Sequence, residues 1–326
     1  MAQEFKKICD MLEAAESVLL ITHVNPDGDA LGSTGALYHS AILAGKKASL
    51  MLHDVPSEQY VPLLETVTTH LPDEFAAAAE SADVIVIADT GSNVQLGTLA
   101  EKLLPFREKT VVIDHHATFD DIAAVRWTDT SAAAAGVMIL EIIEILEWPM
   151  NETIANLLAR AILTDTGWLR FSNTDGRCLR TMARLVDAGV RLDSLYRSIY
   201  QTDRPQKLRL LERTLASLEL YADNQFAVMT LLRTDFEQTG ARFDETENLV
   251  NEAMRIKTVE VAAIFIENTH NIRASLRSRD FINVAEIAKN FGGGGHARSS
   301  GMKVTNMTVD ELKKQVVEKI LENFQN

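Results

Sequence analysis

The sequence predicts an α/β protein with a parallel-sheet N-terminal domain, flanking helices, a helical linker and a smaller α/β C-terminal domain. Apolar, β-branched runs at residues 18–21, 83–88 and 110–113 are typical of buried strands. Segments of helical composition lie between such runs, as in a parallel sheet. The 326 residues suffice for two domains with separate cores. We expect a first domain at residues 1–190, a linker at 191–220 and a second domain at 221–326.

The first domain is expected to begin with a helix and to alternate strands with helices. Gly45 and Gly189 are typical of residues that follow a helix, and Asn151 is a predicted N-cap. The predicted helices cover residues 1–17, 30–44, 131–146, 151–163 and 174–187, and a further strand covers residues 48–52.

Beyond the first domain the pattern changes. Residues 193–220 are charged and amphipathic without a strong turn signal, which indicates a helical connector. Phe281 and Phe291 are expected in the core of the second domain. The predicted strands there cover residues 226–232, 259–266 and 271–276, and helices are expected near residues 245–255, 284–289 and 309–324.

Composition restricts the classes of function. The net charge of −14 argues against binding of long duplex nucleic acid, which needs many phosphate contacts. Only Cys9 and Cys178 are present, without neighbouring ligands for zinc, and they fit a reducing cytoplasm. No apolar run is long enough to span a bilayer, and the N-terminal residues lack a signal-peptide core, so we expect a cytoplasmic protein without membrane contact.

Metal-binding side chains follow the predicted strands of the first domain. Ligands in open α/β sheets bind just beyond the carboxyl ends of the strands, so these side chains are expected to meet there. Taken singly, each aspartate could instead be a turn former or a helix cap. Taken together, the set suits two divalent cations that share a carboxylate, either Mn²⁺ or else Mg²⁺ or Co²⁺. The candidate ligands are His23, Asp27, Asp29, Asp89, His115 and Asp165.

The motifs resemble a known family. Residues 23–33 (HVNPDGDALGS), 89–91 (DTG), 114–116 (DHH) and 164–168 (TDTGW) look like the four signature motifs of the DHH phosphoesterases. Residues 292–296 (GGGGH) are similar to the glycine-rich motif of the C-terminal domain associated with that family. In length and order the chain most resembles the subgroup of bifunctional oligoribonucleases and 3′-phosphoadenosine-5′-phosphate phosphatases.

The resemblance implies a role for each matching metal ligand. Asp89 would bridge the two ions. The remaining ligands would divide between them, with His23 and Asp27 on one ion and Asp29, His115 and Asp165 on the other.

The resemblance also implies catalytic residues beside the metals. Asp114 would orient the DHH motif, because metal-bound imidazoles commonly need such a partner. His116 would face the scissile phosphate as a hydrogen-bond donor. The implied catalytic residues are therefore Asp89, Asp114 and His116.

The second domain contains a local excess of positive charge. Between residues 271 and 303 there are six basic residues and two acidic ones. The glycines allow close approach of a backbone to a ligand and can form an anion-binding nest. Alternatively, the arginines are the solvated face of an edge strand and the glycines a flexible turn. The candidate substrate-binding residues, with His116 from the first domain, are Arg273, Arg277, Gly293, Gly294, Gly295 and His296.

One segment departs from the family pattern. Residues 296–301 (HARSSG) follow the glycines, where family members usually carry small apolar residues. No aromatic residue near the glycines stands out as a platform for base stacking. These differences concern substrate preference rather than the reaction.

The combined expectation is a manganese-dependent phosphohydrolase. It would act on short oligoribonucleotides and on nucleotide bisphosphates such as 3′-phosphoadenosine 5′-phosphate, in a cleft between the domains. The alternatives are a phosphodiesterase for cyclic or linear dinucleotides and a non-catalytic nucleotide-binding module. A pyrophosphatase and a DNA exonuclease of the same superfamily fit less well. The sequence leaves the oligomeric state open, a homodimer included.

Overall fold

A computed structural model of the protein describes residues 2–53, 56 and 60–324. The chain divides into two compact units, Met1–Gln201 and Thr202–Asn326. Within the described residues, no helix is both long and apolar enough to cross a bilayer.

The first unit is built on a parallel sheet. Among the described residues this sheet has six strands in the order β3-β2-β1-β4-β5-β6. Every pairing in it is parallel, as the alternation of strands and helices predicts. The strands are β1 (Ser17–Ile21), β2 (Lys47–Met51), β3 (Thr69–His70), β4 (Val84–Ala88), β5 (Thr110–Asp114) and β6 (Val125–Thr128).

Helices cover the sheet of the first unit. Asn151 caps one of them as predicted, since its Oδ1 accepts a hydrogen bond from the Ile154 amide at 3.0 Å. The helices are α1 (Ala2–Ala14), α2 (Gly28–Leu43), α3 (Phe75–Ser81), α4 (Asn93–Leu96), α5 (Leu99–Leu103), α6 (Ala135–Ile145), α7 (Glu152–Asp165), α8 (Gly176–Asp187) and α9 (Leu192–Tyr200), with 3₁₀ turns at Val61–Leu64, Pro72–Glu74 and Leu104–Lys109.

The predicted connector at residues 193–220 is not one continuous helix. It contains the end of α9, the helix α10 (Pro205–Ala216) and the strand β7 (Glu219–Tyr221). Pro205 begins α10, and Arg204 before it is extended, with ψ of 153°. A residue before proline is disfavoured in the helical conformation, which explains the interruption.

The second unit has a mixed sheet. Among the described residues its six strands lie in the order β11-β12-β10-β9-β8-β7. Strands β8 and β9 pair in parallel, and the other pairs are antiparallel. Besides β7, the strands are β8 (Phe226–Leu231), β9 (Val261–Glu267), β10 (Ile272–Ser278), β11 (Gly294–His296) and β12 (Ser299–Val304); the remaining helices are α11 (Arg233–Thr239), α12 (Val250–Ala253), α13 (Val284–Lys289) and α14 (Val309–Leu321), with 3₁₀ turns at Phe243–Thr246 and Glu322–Phe324.

Two expectations for the second unit are corrected. The helix predicted near residues 245–255 is a 3₁₀ turn followed by the short α12. Phe281 is 62% exposed rather than buried, with its ring against Phe324 at 6.1 Å between centroids. Its amide donates to Glu260 Oε1, so the backbone of this turn is held while the ring faces outward.

Close packing between α2 and α7 positions the functional residues of the first unit. A Cβ atom on Gly28 would lie 2.5 Å from Thr164 Oγ1, and one on Gly32 would lie 2.5 Å from the Leu157 carbonyl oxygen. Only glycine allows helices to approach so closely here. The beginning of α2 is therefore held against the end of α7, which carries Asp165.

Candidate metal centre

The six predicted ligands come together at one edge of the parallel sheet. Strands β1, β4 and β5 are neighbours, and their carboxyl ends precede His23, Asp89 and His115 respectively. Asp27 and Asp29 lie at the beginning of α2, and Asp165 is the last residue of α7. The strand order therefore collects ligands that are separated by up to 142 residues in sequence.

The ligand atoms form three overlapping groups. In each group, one nitrogen or oxygen atom per residue lies within 4.8 Å of the others. Asp89 and His115 each belong to two groups, so the clusters share members. The groups are His23, Asp27 and Asp89; Asp29, His115 and Asp165; and Asp89, His115 and His116.

Asp89 occupies the centre of this arrangement. Its Oδ2 lies 3.5 Å from His23 Nε2, and its Oδ1 lies 3.4 Å from His115 Nε2. The residue has a φ of +65°, a left-handed conformation that is uncommon outside glycine and that clusters at functional sites. This conformation follows β4 directly and turns the carboxylate towards both imidazoles.

Unsatisfied atoms show that a cation fits. Asp89 Oδ1 and His115 Nε2 are buried, and neither has a hydrogen-bond partner among the described residues. Buried polar atoms are nearly always satisfied, so such a pair needs a ligand. Imidazole nitrogen and carboxylate oxygen together suit a borderline divalent cation such as Mn²⁺.

The imidazoles present the correct nitrogen. His23 Nδ1 lies 2.9 Å from the Val24 carbonyl oxygen, and His115 Nδ1 lies 3.2 Å from that of Ala132. A carbonyl oxygen can only accept, so Nδ1 donates in both rings. In the neutral rings, Nε2 therefore has the lone pair through which an imidazole can bind a metal.

Asp27 is both a helix cap and a member of the cluster. Its Oδ1 accepts from the amides of Asp29 and Ala30 at 2.9 and 3.1 Å, which makes it the N-cap of α2. The capping alternative considered for this residue therefore holds. It does not compete with the metal-binding alternative, because a carboxylate has a second oxygen.

Asp29 is held by the beginning of α6. Its Oδ2 accepts from the Ala135 amide at 2.7 Å, and its Oδ1 accepts from the Gly136 amide at 3.0 Å and from Ser33 Oγ at 2.9 Å. These bonds fix the carboxylate, whose Oδ2 lies 3.7 Å from His115 Nε2.

Asn173 is a residue that the sequence did not identify. Its Nδ2 donates to Asp165 Oδ2 at 3.3 Å and to the Ala133 carbonyl oxygen at 3.0 Å. It therefore links Asp165 to the segment before α6. Asn173 lies in a turn eight residues beyond Asp165, and no periodic pattern in the sequence indicates its role.

His116 and Asp114 form a separate pair beside the cluster. Asp114 Oδ1 lies 2.8 Å from His116 Nδ1 and also accepts from the His116 amide. The hydrogen bond with Asp114 raises the pKa of His116. Since Nδ1 is used by Asp114, Nε2 is the atom of His116 that remains for a ligand.

The electrostatics of the cluster reflect crowded carboxylates. Burial raises the pKa of Asp165 to about 6, with Asp89 and Asp27 adding to the effect, and burial likewise raises the pKa of Asp29. Burial lowers the pKa of His115, but its neighbours Asp89 and Asp29 raise it to about 10. In His23 the carboxylate of Asp89 similarly outweighs burial and raises the pKa to about 9. Without a metal the site holds protons, which a divalent cation would displace.

The second unit contains a basic cavity of about 540 Å³. Of the predicted substrate-binding residues, Arg273, Arg277, Gly293 and Gly294 line it. Gly295 and His296 do not line it; they pair with Ser300 and Ser299 of β12.

Lys303 joins the arginines in this cavity. It lies opposite Arg273 in the antiparallel pair of β10 and β12, so both side chains are on one face of the sheet. Arg273 is positioned by Thr246 Oγ1, which accepts from its Nη2 at 2.6 Å, and by the Phe243 ring, whose centroid is 5.0 Å from Cζ. The sequence identified the local excess of positive charge, and the pairing of β10 with β12 places Arg273 and Lys303 side by side.

Comparison with known proteins identifies the domains. Residues 17–163 match the model of the DHH family N-terminal domain, and residues 223–326 match the DHHA1 domain. A bifunctional oligoribonuclease and PAP phosphatase NrnA of Thermus thermophilus is 26% identical over 328 residues, covering 99% of this chain and 95% of the relative. The protein of the same name from Bacillus subtilis is 25% identical over 292 residues, covering 89% and 90%.

A solved structure shows the same fold. An exopolyphosphatase-related protein from Bacteroides fragilis superimposes with a TM-score of 0.92 at 22% identity, covering 100% of this chain and 98% of its own. The two domain matches follow one another in the order of the motifs and coincide with the two units. The chain therefore belongs to the DHH family of phosphoesterases, with a DHH N-terminal domain followed by a DHHA1 domain.

Proposed function

We propose that the protein is a manganese-dependent phosphohydrolase that degrades very short oligoribonucleotides and removes the 3′ phosphate of 3′-phosphoadenosine 5′-phosphate. One observation carries the proposal: Asp89 and His115 each belong to two adjoining groups of ligand atoms. The full-length similarity to proteins named as bifunctional oligoribonucleases and PAP phosphatases supports the choice of substrates.

The residues divide between two ions as the family resemblance implies. Asp89 would contact both ions, His23 and Asp27 would hold one, and Asp29, His115 and Asp165 would hold the other. When bound, two such ions supply activation of water and neutralisation of charge for displacement at phosphorus. The oxygen-rich ligand set with two imidazoles favours Mn²⁺, with Mg²⁺ or Co²⁺ as substitutes.

His116 contacts the scissile phosphate in this proposal. Asp114 accepts from Nδ1 and raises the pKa of the ring, which favours the form in which Nε2 also carries a proton. A protonated imidazole donates a charge-assisted hydrogen bond to a phosphate oxygen, and its charge stabilises the transition state. Asp114 acts through His116 and is a positioning residue.

The basic cavity of the second unit binds the other end of the substrate. Both substrates present a 5′-phosphorylated nucleoside with a phosphorus atom on its 3′ oxygen. Burial lowers the pKa of Arg277, and among the described residues no carboxylate forms an ion pair with it. Arg277 is therefore available for the 5′ phosphate, whereas the Gly293 amide already donates to the Ala288 carbonyl oxygen at 2.9 Å.

An assay of the purified full chain tests the proposal. With Mn²⁺ present, turnover of 3′-phosphoadenosine 5′-phosphate is compared with that of oligoribonucleotides of graded length and of a cyclic dinucleotide. We expect hydrolysis of the bisphosphate and of the shortest oligomers, with activity falling as length grows. Preferential hydrolysis of the cyclic dinucleotide would favour the phosphodiesterase alternative, and absence of all turnover would favour a binding module.

The role of Arg277 has its own test. Arg277→Gln should raise KM for both substrates by about tenfold or more, the effect of one charge-assisted bond, with a smaller change in kcat. The control is Arg255→Gln, which removes an exposed arginine paired with Glu252 in the same unit. An unchanged KM in Arg277→Gln would contradict binding of the 5′ phosphate at this residue.

A further inference from the structure

A second polar cavity lies in the first unit, away from the metal ligands. It has a volume of about 410 Å³ and is lined by parts of α2, α7, α9 and the 3₁₀ turn Val61–Leu64. None of its lining residues belongs to the metal-binding groups. Its polar lining includes His39, Thr66, Asn156, Arg160, Ser194 and Ser198.

Arg160 is the unusual member of this cavity. It is only 7% exposed, and its Nη2 donates to Ser198 Oγ at 2.8 Å. Among the described residues, no carboxylate forms an ion pair with it and no second hydrogen bond is made by its guanidinium. Burial lowers the pKa of Arg160, yet a guanidinium keeps its charge at ordinary pH.

A largely buried cation without a carboxylate partner is unusual. Buried charges are normally paired, and removal of one partner of such a pair is strongly destabilising. Arg177 in the same unit shows the usual arrangement, with Asp129 at 2.6 Å and Glu141 at 2.8 Å. Arg160 has the burial of a paired arginine, but among the described residues its guanidinium has no carboxylate partner and only the hydrogen bond to Ser198.

The rest of the cavity wall suits an anion. Among the described residues that line it there is no aspartate or glutamate. Hydroxyl groups of Thr66, Thr153 and Ser194 can donate hydrogen bonds, whereas that of Ser198 donates to the Leu195 carbonyl oxygen. His39 Nε2 lies 3.5 Å from Thr66 Oγ1. Apolar side chains, including Leu157 and Leu195, cover part of the wall. One cation, several hydroxyl donors and an apolar wall are typical of a site for a phosphorylated small molecule.

We propose that this cavity binds a phosphate group, either as the free ion or on a small molecule, through the guanidinium of Arg160 and the hydroxyl of Ser194. Arginine matches a phosphate with two parallel N–H donors, and hydroxyls can complete the tetrahedral set. Arg160 lies on α7 and Ser194 on α9, so the bound group joins these two helices. The site shares no residue with the metal centre and is occupied independently of hydrolysis.

Location of the ion is the first experiment. Crystals of the full-length protein are soaked in selenate, a tetrahedral oxyanion with a strong anomalous signal. We expect an anomalous peak beside the guanidinium of Arg160. If fully occupied selenate peaks appear elsewhere in the molecule and none appears beside Arg160, the proposal is overturned. This holds whatever the variants show.

Affinity in solution is the second experiment. The probes are inorganic phosphate and adenosine 5′-monophosphate, followed by the rise in Tm at constant ionic strength, since a ligand that binds only the folded state raises Tm. The assays use Arg277→Gln protein, so that binding at the basic cavity of the second unit is weakened in every sample. Adding Arg160→Gln should lower the affinity for both probes about tenfold or more, because a charge-assisted hydrogen bond is lost.

Matched variants make the result specific. Arg184→Gln removes a half-exposed arginine of the same unit that pairs with Glu144, and it should leave the affinity unchanged. Arg160→Lys keeps the charge and should restore part of the affinity, even if Arg160→Gln lowers Tm by itself. If inorganic phosphate alone shows the Arg160 dependence, the ligand is the free ion; if the nucleotide binds more tightly, it is a phosphorylated small molecule. If the Arg277→Gln protein binds both probes equally well with and without Arg160→Gln, the proposed site is refuted.

Discussion

Asp89 Oδ1 lies 3.4 Å from His115 Nε2, and neither of these buried atoms has a hydrogen-bond partner among the described residues. On its other side, Asp89 Oδ2 lies 3.5 Å from His23 Nε2. One carboxylate thus faces two imidazoles that come from different strands. This arrangement suits cations, either protons or metal ions, and the first prediction concerns its central residue.

Asp89→Asn should abolish hydrolysis and reduce bound manganese. The amide keeps the shape of the side chain but removes the negative charge shared by both ions. We expect a loss of at least about a thousandfold in kcat, roughly 4 kcal/mol of transition-state stabilisation. Hydrolysis is measured together with metal content by mass spectrometry. Asp187→Asn, at an exposed position of α8, should change neither quantity. Normal metal content with retained turnover in Asp89→Asn would disprove the bridging role.

Asn173→Ala should weaken metal binding without removing a ligand. Its Nδ2 holds Asp165 Oδ2 and the Ala133 carbonyl oxygen, so the variant frees the Asp165 carboxylate to move. Loss of such a partner typically costs about 10- to 100-fold in metal affinity. Titration of the metal-free protein with Mn²⁺ measures the Kd for the metal. Asn290→Ala is the matched control, because Asn290 donates to the Glu286 carbonyl oxygen in the other unit. Equal Kd values for the two variants would contradict this role.

Gly32→Ala should destabilise the first unit. The new Cβ would lie 2.5 Å from the Leu157 carbonyl oxygen, so α2 and α7 must separate. Overpacking of this kind costs about 1–3 kcal/mol in the free energy of unfolding. In Gly35→Ala on the same helix, the nearest atom is Leu157 Cδ1 at 3.4 Å, and alanine favours a helix. Urea unfolding should therefore show a lower midpoint for Gly32→Ala and an equal or higher one for Gly35→Ala; the reverse order would contradict the packing argument.

Metal binding should release protons near neutral pH. The carboxylates around His23 and His115 outweigh burial and raise their pKa values to about 9 and about 10, so both rings are protonated at pH 7.5 in the metal-free protein. A ligating imidazole must be neutral, so binding of Mn²⁺ should release about two protons and the affinity should increase with pH. Calorimetric titration in two buffers with different heats of ionisation measures the number of protons released. His23→Gln should release about one proton fewer, and identical heats in both buffers would be contrary to this prediction.

Much of the centre was predictable because its ligands are local to strand ends. Apolar runs followed at once by aspartate or histidine identify β1, β4 and β5 and place their last residues at a shared edge. The capping preference of Asn151 likewise depends only on neighbouring residues and was confirmed. Such features are encoded over a few positions, so periodicity and residue type suffice to find them.

Other features depend on contacts between distant segments. β12 lacks a long apolar run and is a strand because it pairs with β10 and β11; the pairing with β10 brings Lys303 opposite Arg273. Asn173 reaches Asp165 through a turn that follows no periodic pattern. The interruption before Pro205 could have been predicted from the proline, whereas the burial of Arg160 could not.

The sequence by itself determined the α/β class, the identity of the candidate ligands and the family, because these depend on residue type and order along the chain. The tertiary structure decided which ligand atoms meet, which arginines share a cavity and which cation, among the described residues, is buried without an ion-pair partner. Those properties arise from strand order and from the close approach of α2 to α7 at Gly28 and Gly32, and such long-range packing leaves no mark on local periodicity.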